Sequence, residues 1–124
     1  MEFVASTSPR IAAWAPVALL AASATVMNVA WYWHLKAPSR ALWLAILLSW
    51  GIAFFEYALM VPANRIGAQS YSLVQLKTIA EVCSLVGFVL VAWVLFGQKP
   101  VASQLAGFAL IAAGAWLVFK GPQL

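Results

Sequence analysis

The sequence has 124 residues, of which 65% are hydrophobic and 8% charged, and its seven Lys or Arg against three Asp or Glu give a net charge of +4. Soluble domains run at about 45–50% apolar and about 25% charged, so these few ionised side chains cannot wet the surface of so small a domain. This excludes a water-soluble enzyme and a disordered chain, and basic residues scattered singly, with no stripe to follow a phosphate backbone, exclude a nucleic-acid partner. What is left is an all-α integral membrane protein, a four-helix bundle in a single transmembrane domain over residues 1–124.

The first apolar stretch covers residues 11–33, enough to cross a hydrocarbon core about 30 Å thick. Arg10 before it and Ala22-Ser23-Ala24 within it fit a secretory leader with its cleavage motif. The apolar run continues to Trp33, however, so the stretch reads as a retained helix. Ser23 and Asn28 in this span are candidates for hydrogen bonds across helices, or for the wall of a path. The connector 34–40 carries Pro38, and His34 beside Lys36 reads as an interfacial side chain with no second histidine to make a metal pair. The second stretch covers 42–61, followed by a connector over 62–70 that opens on Pro62. The third covers 72–96, with polar residues in its first half, and the fourth covers 101–119 after a short connector over 97–100. The runs are continuous rather than alternating, and lipid admits only helices or closed barrels, so all four are helices.

Trp14, Trp31, Trp33, Trp43, Trp93 and Trp116 fall near the expected span ends, where amphipathic rings sit at the headgroup level. Trp50, deep in the second span, reads as a packing or lipid-facing ring. With four spans both termini share one side, which carries Arg10, Arg65 and Lys120; the other carries Lys36, Arg40 and Lys99. That near-tie sets no orientation by the positive-inside rule, and it suits a chain that inserts both ways and pairs antiparallel. Cys83 has no partner for an internal disulfide or a cysteine-rich zinc site, and reads as a small core residue.

Three charges lie inside the spans, each costing about 2.5–3.5 kcal/mol to insert. From helical rise, Glu56 sits about 6 Å from the middle of the second span, Glu81 about 5 Å and Lys77 about 10 Å from the middle of the third, all toward the 62–70 connector. Lys77 and Glu81 are four apart and share a helix face. Thr78 and Ser84 extend that stripe; Asn64 and Arg65 stand near Glu56, and Tyr57 is its neighbour. The cluster Glu56, Lys77, Glu81, Arg65, Asn64 and Tyr57 is therefore the candidate site for binding a polar solute or a proton, since intramembrane ionisable groups default to function. A buried ion-pair network that only staples the hairpin is the competing reading. No set of residues selects a covalent reaction, a cofactor or a metal, so an enzyme is not expected.

Two regions carry a family pattern. Phe96-Gly97-Gln98-Lys99-Pro100, Gln104 and Gly107-Phe108-Ala109-Leu110-Ile111-Ala112-Ala113-Gly114 resemble the last hairpin of the drug/metabolite transporter superfamily, where a helix ends in Phe-Gly-Glu and the next carries G-x-x-L-I-x-x-G. In the small multidrug resistance branch that last helix makes dimer contacts. The resemblance thus implies a homodimer through Gly107, Leu110, Ile111 and Gly114, where small residues let membrane helices approach closely. Phe55-Glu56-Tyr57, Val61-Pro62-Ala63-Asn64-Arg65-Ile66-Gly67, Tyr71-Ser72-Leu73, Gln75-Leu76-Lys77, Glu81-Val82, Trp31-Tyr32 and His34-Leu35-Lys36 are similar to a bacterial four-helix family of unknown function related to these transporters. It implies a multi-pass protein of the bacterial inner membrane that carries a small solute. Two departures stand out. Gln98 replaces the acidic residue of Phe-Gly-Glu, and the first span lacks the glutamate that binds proton and cation in the small multidrug resistance transporters. Any coupling would then rest on Glu56 or Glu81. A non-transporting scaffold or accessory subunit is the alternative.

Overall fold

The computed structural model describes residues 8–121. Ser8 opens the first helix by accepting a hydrogen bond from the Ile11 N–H at 3.4 Å, and Pro9 follows, where its missing N–H costs nothing. Helix α1 runs Pro9–Tyr32 and tightens into a 3₁₀ turn over Trp33–Lys36. Helix α2 covers Leu42–Gly67, α3 covers Leu73–Phe96 and α4 covers Ala102–Lys120. All four helical segments are long and apolar enough to cross a membrane. No strand occurs among the described residues.

The second helix does not stop at Val61: it continues through Pro62 to Gly67. Proline removes one backbone donor and crowds the preceding turn, but in membrane helices packing with neighbours compensates. Here the turn beyond Pro62 carries Ala63, fully buried, and Ile66, 4% exposed. Ala63 joins Leu20 of α1 and Leu76 of α3 in the core, with Met60, Tyr71 and Ile79 packed around them. Gly67 completes the contact, since a Cβ there would run into Leu76 and approach Pro16 to 3.2 Å. The connector to α3 shortens accordingly, and Tyr71 within it donates its hydroxyl to the Ala13 carbonyl at 2.9 Å. Ser72 and Gln75 then cap α3 reciprocally, each side chain accepting from the other's backbone N–H.

Helix α1 lies at the centre, against α2 on one side and α3 on the other. The approach to α3 is close at Gly87, where a Cβ would stand 3.0 Å from the Thr25 hydroxyl. Beside it the amide of Asn28, 2% exposed, donates to the Ser84 carbonyl at 3.0 Å and to Ala24 of its own helix at 2.8 Å. The bond from α1 to α3 is the cross-helix role that the sequence suggested for Asn28. Helix α3 ends on Gly97 at φ 67°, a left-handed position that glycine occupies without strain.

Helix α4 packs chiefly against α3, and no residue in it is buried. Leu110 is 76% exposed, and nothing lies within 4 Å of where a Cβ would stand at Gly107 or Gly114. The isolated chain therefore presents three tightly associated helices with a fourth held at one edge.

Candidate functional site

Helix α1 brings Ser23 to face α2, and its hydroxyl donates to Glu56 Oε1 at 2.8 Å. Both are almost fully enclosed, at 2% and 3% exposure. Glu56 Oε2 is buried without a hydrogen-bond partner among the described residues. Nor does Glu56 form an ion pair there: the one pair among these residues joins Lys77 to Glu81 within α3. Because α2 is longer than its apolar stretch, Glu56 lies about 2 Å from the helix midpoint by helical rise, deeper than its place in the 42–61 run suggests.

These groups surround one cavity of about 330 Å³. Helix α1 contributes Ser23, Met27 and Trp31; α2 contributes Glu56, Tyr57 and Met60; α3 contributes Lys77, Glu81 and Ser84. The spacing of Ser23, Met27 and Trp31, four residues at a time, puts them on one face of α1. Position near the span end alone places Trp31 in the headgroup belt, whereas the face periodicity is the signal that ties it to the site. Lys77 and Glu81 line the cavity's outer side and remain exposed, at 72% and 58% of their side chains.

Of the residues singled out from sequence, Glu56, Tyr57, Lys77 and Glu81 thus share the cavity wall, whereas Asn64 and Arg65 are not in it. Arg65 comes nine residues after Glu56, which at about 100° per residue turns it to the opposite face of α2, and it is exposed. Thr78 does not join the wall either, since its hydroxyl donates to Val74 of its own helix at 2.8 Å. Lys77 and Glu81 pair with each other, so Glu56 is the acidic side chain of the wall without an ion-pair partner among the described residues. Among the described residues no three His, Cys, Asp or Glu side chains gather to hold a metal ion.

Four apolar helices, three of which enclose a buried ionisable group, define a multi-pass membrane protein of transporter-like build. The family model described as "Putative member of DMT superfamily (DUF486)" matches residues 16–119, and the chain belongs to that family. No curated protein and no solved structure gave a match.

Proposed function

We propose that this protein is a carrier of the bacterial inner membrane that takes a small solute bearing a positively charged group, with Glu56 as its counter-ion. The observation that carries the reading is the Glu56 carboxylate, 3% exposed, held by Ser23 through one oxygen and unpartnered at the other. A buried polar atom without a partner costs about 1–3 kcal/mol, more if charged, and a role in binding is what we assign to this one. Beside a carboxylate this deeply buried, a cationic group entering the cavity gains more from Glu56 than it would in solution. Trp31 and Tyr57 supply aromatic faces, which attract cations, and Met27 and Met60 adapt to shape. Ser23 orients the carboxylate.

The carrier works as a homodimer. Lys77 and Glu81 stand exposed on a membrane-spanning helix, a costly position against hydrocarbon. A second copy that covers this side would enclose the solute and shield the pair. The bare face of α4 with Gly107, Leu110, Ile111 and Gly114 is the contact we assign to it. The Ser23–Glu56 bond also favours a second reading, a scaffold in which these polar groups only fasten helices.

A thermal-shift panel on the purified protein separates the two. Metabolites, polyamines and lipophilic cations are added in turn, and a ligand of the native state raises the melting temperature. A cationic compound that stabilises the native chain but not Glu56→Gln supports the carrier. Stabilisation that is absent across the panel, or equal in both proteins, overturns the assignment of Glu56.

A further inference from the structure

We infer that the groove between α3 and α4 binds an anionic phospholipid, with an acyl chain along the two helices and the phosphate at Lys99. The groove is formed by two adjoining cavities. The inner one, about 280 Å³, is apolar: Val82, Val86 and Leu90 of α3 face Leu105, Phe108 and Ala112 of α4. The outer one, about 410 Å³, shares Val89 and Phe108 with it and opens between Gln98, Lys99 and Gln104. A single channel thus passes from hydrocarbon-like walls to amides and an ammonium.

Its length fits one leaflet. From Val82 to Ala92, the α3 residues along its floor, the helix rises about 15 Å, half of a hydrocarbon core about 30 Å thick. The polar mouth then falls where headgroups lie. Charge selects among them. The α1–α2 and α3–α4 connectors share that membrane face and carry Lys36, Arg40 and Lys99, whereas the acidic residues among those described, Glu56 and Glu81, both belong to the other cavity. The three cations stand over aromatic rings, Lys36 over Phe96 at 6.0 Å, Arg40 over Trp33 at 5.6 Å and Lys99 over Trp93 at 5.8 Å. These rings hold the ammonium and guanidinium groups at the interface without neutralising them, which leaves the face complementary to an anionic headgroup. Gln98 and Gln104 add amide donors beside Lys99 for phosphate oxygens. Residues 107, 110 and 114 lie on a different face of α4 from residues 105, 108 and 112, and Ile111, which lines the inner groove, stands at the boundary between the two faces.

The test titrates dioleoylphosphatidylglycerol into the full chain in non-ionic detergent and follows the melting temperature, with dioleoylphosphatidylcholine and soluble glycerophosphoglycerol as parallel arms. The anionic lipid should stabilise at lower concentration than the zwitterionic one, and the chainless headgroup should do nothing. Lys99→Gln, in an exposed connector, should weaken half-saturation by the anionic lipid about fivefold, from about 1 kcal/mol per basic residue near the headgroups. Lys99→Arg should retain the preference, as should Lys120→Gln at the other membrane face. Ala112→Phe should fill the inner groove and abolish the response to both lipids. Equal stabilisation by the two lipids, a full response to glycerophosphoglycerol, or an unchanged preference in Lys99→Gln would overturn the proposal.

Discussion

The Ser23–Glu56 bond allows a test of what the buried carboxylate is for. Ser23→Ala removes the hydroxyl that donates to Glu56 Oε1 at 2.8 Å, and because Oε2 has no partner, both oxygens are then buried without a hydrogen bond. A hydrogen bond to a charged group contributes about 1.5–3 kcal/mol, and the loss should fall in that range. Glu56→Gln preserves volume, keeps an amide oxygen for Ser23 and removes the charge from a site 3% exposed, so its own effect on stability should be neutral or favourable. In the Glu56→Gln background the bond is between neutral groups and contributes about 0.5–1.5 kcal/mol. Ser23→Ala should therefore cost about 1 kcal/mol less there, a coupling that a double-mutant cycle isolates. Denaturant titration in detergent micelles, followed by tryptophan fluorescence, measures all four proteins. A loss of more than about 2 kcal/mol in Glu56→Gln alone would mean that the carboxylate fastens helices, against the neutral outcome argued from its missing partner. Equal costs of Ser23→Ala in both backgrounds would refute the charged hydrogen bond itself.

The helix packing makes further predictions. Gly87→Leu should destabilise by about 1–3 kcal/mol through overpacking against Thr25 and Asn28, whereas Gly51→Leu, with nothing within 4 Å, should be near neutral in the same titration. Gly97→Ala forces a side chain onto φ 67° and should cost about 1 kcal/mol, measured the same way. Replacing Gly107 and Gly114 together by leucine should yield monomers in mild detergent by size-exclusion chromatography with light scattering; unchanged dimers would remove the α4 glycine face as the contact. Lys77→Met should lower stability more than the triple change of Glu56, Lys77 and Glu81 to Gln, Met and Gln, because only the single change strands a carboxylate; the reverse order in a melting experiment would show that the exposed pair is already screened.

Composition and the continuity of the apolar runs were enough to establish four membrane-crossing helices, because in lipid each helix must satisfy its own backbone and present a long apolar surface. The connector expected over 62–70 is largely helix, because proline is only a local signal. What carries α2 through Pro62 is the contact of Ala63, Ile66 and Gly67 with neighbours that lie far along the chain. The candidate site was legible to the same degree. The (i, i+4) spacing of Lys77 and Glu81 placed them on one face of α3, and the cost of charge in the membrane marked Glu56. That Ser23 stands beside that carboxylate was beyond local reasoning, whereas Arg65 needed only the continuation of α2 through Pro62 for its phase to be read. Helical phase turned Arg65 away, and the packing of α1 between α2 and α3 brought Ser23 to 2.8 Å and left Oε2 bare. Helix formation and membrane depth depend on the chain's own periodicity and solvent, which the sequence carries in full. The partner of a buried group depends on how three helices rotate against one another, and that is decided only when their side chains pack.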